Sequence, residues 1–342
     1  FWPFYRYSPD FEKLRYLCSL FHSSLFYSMM RQHPRGLPYL FLTEMWERFG
    51  YYLMIGIFLL YMTDTKSGGL EMERGQASDI FGTFIALVYI TPFIGGLLAD
   101  RILGYRRSIV IGGILMGIGY MMLAIPHNLT TFYASLGIMI LGNGFFKPNI
   151  STLLGNLYNE DRYRERKDDG YSIFYMGINV GALICNFVAA YLRNKYGWSY
   201  AFMAAGIGMF AGVVVFLLGN RHYAHADIQK QAAEAETGVG QMLSVVLLPA
   251  LLTGIGAWYL PGSIFGTDST DAFIFGSLPV IGFYLWTLWK ANAEDKKAIR
   301  ALLTIYAIVV VFWAVFKQNG TALTTWAEFY TDRSMPAIME KP

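Results

Sequence analysis

An all-α protein that crosses a membrane many times is predicted by three features of this chain. Hydrophobic residues make up 55% of its 342 positions and charged residues only 15%, against about a quarter in soluble globular proteins. The apolar residues fall into stretches long enough to cross a bilayer as helix, about 20 residues each, divided by short polar turns. Aromatic residues reach 17%, with 24 Tyr and 8 Trp, which suits interfacial anchors and packed helix seams.

By that length criterion about nine spans are expected, near residues 37–62, 77–99, 109–125, 130–157, 171–192, 198–218, 241–260, 273–289 and 299–323. The first six alternate with short loops whose basic residues are uneven. With the N-terminus inside, the inner segments hold Arg31, Arg35, Arg101, Arg106, Arg107, Arg162, Arg164, Arg166, Lys167, Arg221 and Lys230, and the outer ones only Lys66, Arg74, Arg193 and Lys195. Positive charge favours the cytoplasmic side, so a cytoplasmic N-terminus is expected for a chain expected to be a multi-pass protein of the cell inner membrane.

Residues 220–240 are polar and alanine-rich, with charges at helical spacing, and read as a cytoplasmic linker. Residues 1–29 alternate aromatics with charges, lack an apolar leader core, and precede Met30-Arg31-Gln32-His33-Pro34; they are expected to be an upstream extension not native to the protein. Glycine pairs such as Gly113-Gly117, Gly177-Gly181 and Gly208-Gly212 read as seams where helix backbones approach.

Several function classes are disfavoured. A formal charge of +3 gives no footprint for a nucleic acid partner. Cys18 and Cys185 have no metal-ligand spacing, and His222 and His225 read as solvated loop residues. No metalloprotease helix, nucleophile elbow or phosphate loop occurs, so no enzyme and no cofactor are expected.

The chemistry-bearing residues lie inside the spans. Thr43-Glu44-Met45-Trp46-Glu47-Arg48-Phe49 places Glu44, Glu47 and Arg48 three and four positions apart, on one helix face. Each charge in hydrocarbon costs at least about 2.5 kcal/mol, so the three are expected to face the protein interior and pair there. Such a group can take part in proton movement, because burial and a neighbouring charge act oppositely on a carboxyl. Lys147, in Gly144-Phe145-Phe146-Lys147-Pro148-Asn149, is a mid-span cation that needs an anionic partner, either a first-span carboxylate or a substrate group. Between the second and third spans, Asp100, Arg101, Arg106 and Arg107 sit in a glycine-bounded loop that resembles the signature gating loop of the major facilitator superfamily.

These residues together resemble the proton-dependent oligopeptide transporter family, a branch of that superfamily. Glu44-x-x-Glu47-Arg48-Phe49 is similar to its first-helix motif and Ala86-Leu87-Val88-Tyr89-Ile90-Thr91-Pro92 to its second. Gly144–Asn149 and Phe174-Tyr175-Met176-Gly177-Ile178-Asn179-Val180-Gly181 are similar to its fourth- and fifth-helix signatures. The resemblance runs over residues 37–325.

The resemblance implies an incomplete helical bundle of the major facilitator kind: residues 30–219 as a six-helix half, 241–291 as two inserted helices, 298–325 as the first helix of the second half and 326–342 as a tail. Five further spans would be missing, so a truncated product is expected. It also implies proton-driven symport of di- and tripeptides, with protons as the only coupling partner. Glu44, Glu47, Arg48 and Lys147 would couple protons, and Tyr52, Tyr89, Lys147, Asn179 and Lys317 would contact substrate. Two positions depart from the family pattern. Ile55 stands where many members have a second arginine, and Lys317, before Gln318, stands where they have an acid. A carrier for a non-peptide anion, and a non-transporting fragment, are the alternatives.

Overall fold

The computed structural model describes residues 32–125, 129–228 and 243–331. The extension over 1–29, Cys18, linker residues 229–240 and tail residues 332–342 lie outside the described residues. Among the described residues ten α-helices follow in order: α1 (Leu37–Thr63), α2 (Arg74–Leu98), α3 (Tyr105–Leu123), α4 (Leu129–Leu157), α5 (Lys167–Tyr196), α6 (Trp198–Gly219), α7 (Leu248–Trp258), α8 (Asp268–Lys290), α9 (Ala293–Phe316) and α10 (Ala322–Phe329).

Among the described residues seven helical stretches, built on α2 to α6, α8 and α9, are long and apolar enough to cross a membrane. Helix α1 has the length, at 27 residues, but carries Glu44, Glu47 and Arg48 within it. Helix α7 has only 11 residues and is entered through the π-helical turn Leu248 inherits from Leu243–Leu247. Among the described residues seven of the nine expected spans thus meet the length and apolarity of a crossing, and α1 and α7 lie at the positions of the other two.

Two expectations need correction. The span expected over 299–323 is not one helix: α9 ends at Phe316, Lys317–Gly320 form a 3-10 turn, and α10 begins at Ala322. The break falls where the apolar run gives way to the polar Lys317-Gln318-Asn319-Gly320, and the backbone yields at Asn319-Gly320, where helix propensity is poor. The glycine-bounded loop before α3 is also mostly helical. Ala99–Leu103 form a π turn closed by Gly104 N–H donating to Ala99 O at 2.9 Å, and only Gly104, at φ +80°, leaves helical geometry.

The described residues form two compact units, within Phe1–Leu53 and Ile90–Lys230, and within Met54–Tyr89 and Gln231–Pro342. In the first, α3 packs against α4 and α6. A Cβ at Gly112 would lie 2.6 Å from Gly142 O, so glycine here lets α3 and α4 meet backbone to backbone. Helix α1 is backed in the same way by α5 at Gly177 and Gly181 and by α6 at Gly208 and Gly212.

In the second unit, α7 and α8 form a hairpin with Gly254 against Ala272 and Gly276 against Ala250. The Asp271 carboxylate ties its loop by accepting from Ile264 N–H at 2.6 Å and Phe265 N–H at 2.8 Å. Asp79 on α2 holds the hairpin by accepting from Thr267 Oγ1 at 2.8 Å and from Ser269 Oγ.

Ahead of α1, buried His33 places Nδ1 2.7 Å from the Tyr158 hydroxyl, joining the start of α1 to the end of α4. Burial holds its imidazole below the ordinary value of 6.5; Arg166 adds to the effect and Asp169 opposes it. The folded protein therefore takes up this proton at lower pH than the unfolded chain. The contribution of neutral His33 is full above about pH 6.5 and declines as pH falls below it. Thermal unfolding in detergent should show His33→Gln losing less stability than wild type on acidification through this range; parallel curves would contradict the assignment.

Candidate functional site in the first helix

Helix α1 begins without an acidic first turn or a basic last turn, so its charges are concentrated at mid-helix. Helical spacing puts Glu44, Glu47 and Arg48 on one face, and all three side chains are buried. The two carboxylates are not equivalent. Glu47 engages Arg48 with both oxygens: Nη2 donates to Oε1 at 2.6 Å, and Nε donates to Oε2. Glu44 reaches Arg48 only through Oε1, at 3.4 Å from Nε. Its other oxygen, Oε2, is buried with no hydrogen-bond partner among the described residues.

Arg48 also lies 4.9 Å from the Tyr51 ring centroid and 5.9 Å from that of Tyr52. Lys147 of α4, half-buried, is close enough for its charge to act on Glu44. Two carboxylates and two cations thus meet in the first unit with formal charges that cancel. Asn179 belongs to the same unit but faces outward on α5, and its Nδ2 donates to Tyr175 O at 3.2 Å.

Two polar groups near this cluster were not singled out by sequence. Tyr120 of α3 is buried within electrostatic range of Glu47 and Arg48. Asn143, one turn before Lys147, is buried with neither side-chain polar atom partnered among the described residues. Tyr120 sits in an ordinary apolar run, so its sequence carries no signal. Asn143 could have been found as a polar residue between Gly142 and Gly144 in mid-span.

The second unit holds the other expected substrate residues. Lys317 places Nζ 5.1 Å from the Tyr89 ring and 5.2 Å from the Trp313 ring. It lines a cavity of about 750 Å³ with Ser78, Phe81, Gln318 and Trp326. The residues expected to gate, Asp100 and Arg101, lie in the π turn, while Arg106 and Arg107 open α3, where Arg106 Nε donates to Asn220 Oδ1 at 2.6 Å.

The motifs also meet one another within the first unit. Thr91 Oγ1 of the second motif donates to Ile140 O on α4 at 3.0 Å, and a Cβ at Gly144 would lie 2.8 Å from Thr91 Cβ. Gly181 of the fifth-helix motif lies against Met45 O and Phe49 N of α1.

The sequence profile of the POT family, PTR2, matches residues 106–339. A Bacillus subtilis protein described as an uncharacterized transporter, YclF, is 37% identical over 309 residues, covering 86% of this chain and 60% of that protein. A di-/tripeptide transporter of Lactococcus lactis subsp. cremoris is 34% identical over 306 residues, covering 86% and 61%. The crystal structure of peptide transporter POT in complex with sulfate superimposes with a TM-score of 0.72 at 32% identity, covering 88% of this chain and 62% of that one. The chain therefore spans about 60% of the length of the first relative it matches. With its helical, membrane-spanning fold and these matches, the chain belongs to the POT family of membrane transporters.

Proposed function

We propose that the protein works as a proton-coupled symporter of di- and tripeptides, by alternating access, in the cell inner membrane with its N-terminus cytoplasmic. The observation that carries this reading is the inequality of the two buried carboxylates. Glu47 is committed to Arg48 through both oxygens, whereas Glu44 Oε2 is buried without a hydrogen-bond partner among the described residues. A proton arriving there would meet an open lone pair and would remove the charge that holds Glu44 to Arg48.

The charge balance supplies the coupling. With both carboxylates ionised, Glu44 and Glu47 offset Arg48 and Lys147. Protonating Glu44 leaves one net positive charge, which the carboxylate end of a peptide can neutralise at Lys147. Proton and substrate thus favour each other's binding, as linkage between two sites requires. Asp100, Arg101, Arg106 and Arg107 would act as gating residues before and at the start of α3, and Tyr52, Tyr89 and Asn179 as peptide contacts.

Lys317 favours a second reading, transport of a non-peptide anion, because it brings a cation to a cavity of about 750 Å³. Cells expressing the protein from its native gene should accumulate labelled dialanine in response to an inward proton gradient, and excess unlabelled dipeptide should abolish uptake. Accumulation of nitrate or an organic acid that dipeptides fail to compete away would favour the second reading instead.

A further inference from the structure

We propose that the adjoining ends of α3 and α6 form a binding site for one anionic phospholipid. Helix α3 starts at Tyr105 and the span built on α6 ends at His222, so their meeting ends lie at headgroup depth if the helices cross the bilayer. A cavity of about 650 Å³ opens there, lined by Arg106, Arg107, Ile111, Leu217, Asn220 and Asp227.

The polar and apolar parts of this cavity are separated along the helix axes. Arg106 and Arg107 occupy the first turn of α3, and Asn220 orients Arg106 through its Nε at 2.6 Å, leaving the outer guanidinium nitrogens for a ligand. Among the described residues neither arginine makes an ion pair. Ile111 lies about 6–8 Å deeper, at 1.5 Å per residue. It is 39% exposed, and Leu217 beside it is 52% exposed.

Among the described residues Asp227 is the one acid lining the cavity. Its Oδ1 accepts from Tyr105 N–H at 2.7 Å, so its charge is engaged by the amino end of α3. What remains is two cations at interfacial depth above an exposed apolar groove, which complements a phosphate carrying acyl chains. Basic pockets between transmembrane helices recognise anionic headgroups on this principle. The inference is independent of which solute the protein moves.

The test is native mass spectrometry of the full chain, released from mixed micelles holding equal phosphatidylglycerol and phosphatidylcholine. Wild type should retain phosphatidylglycerol preferentially, and Arg107→Gln should reduce that preference about fivefold. Arg107 is exposed and has no partner among the described residues, so its replacement leaves the fold intact. Arg106→Gln combined with Arg107→Gln should remove the preference. Equal retention of the two lipids by wild type, or an unchanged preference in Arg107→Gln, overturns the proposal. So does displacement of the lipid by excess glycerol 1-phosphate, which would assign the cavity to a soluble phosphate.

Discussion

Arg48→Met should lower stability by about 3–5 kcal/mol, the cost of stranding buried charge when one partner of an ion pair is removed. The loss is expected to be large because Arg48 serves both acids at once. It binds Glu47 through two nitrogens and reaches Glu44 at 3.4 Å. Methionine restores the apolar volume but leaves two carboxylates one helical turn apart. Adding Glu44→Gln and Glu47→Gln should recover most of the stability, because the buried charges then disappear together, while peptide accumulation stays absent. Thermal unfolding in detergent and uptake by cells measure the two effects separately. An Arg48→Met protein as stable as wild type would mean that the cluster is hydrated rather than buried.

Gly181→Val should abolish uptake although it changes no charge. The Cβ it adds would run into Met45 O and lie 3.0 Å from Phe49 N and 3.3 Å from Arg48 Cβ. These atoms belong to the α1 turn that presents the cluster, and the valine can be seated only by moving α5 away from α1. Overpacking of this kind costs about 1–3 kcal/mol, and the displaced turn would also misplace Arg48 against Glu44. Gly137→Ala is the control, because nothing lies within 4 Å of a Cβ at that site. Normal uptake by Gly181→Val would show that the α1–α5 seam does not position the cluster.

The helices were legible because lipid imposes a length and a polarity on each span, and α4 and α6 match their expected bounds within two residues. Their polar extensions were less legible. Helix α5 runs from Lys167 to Tyr196 rather than 171–192, with Asp168 and Asp169 in its first turn and Arg193 and Lys195 in its last, where each complements the helix dipole. Hydropathy discounts those residues although helix electrostatics favours them.

The candidate cluster was legible for a similar local reason: Glu44, Glu47 and Arg48 are fixed on one face by spacing alone. What separates the two acids is not local. Which oxygen stays unpartnered depends on how α3, α4, α5 and α6 surround α1, and no spacing within one helix reports that. The contacts of His33 with Tyr158, 125 positions apart, and of Asp227 with the start of α3, 122 positions apart, were hidden for the same reason. The motif glycines show the converse. Gly144 and Gly181 were visible as pattern, and the structure gives them a physical purpose as close approaches between helices.

Proton movement during peptide entry tests the central claim most directly, because it distinguishes Glu44 from Glu47 and from the bystanders. Addition of dialanine to lightly buffered, de-energised membrane vesicles carrying the protein from its native gene should alkalinise the medium as protons enter with peptide. Glu44→Gln should still bind peptide while this pH change disappears. Wild-type alkalinisation by Glu44→Gln would contradict the assignment of the coupling proton to that carboxylate.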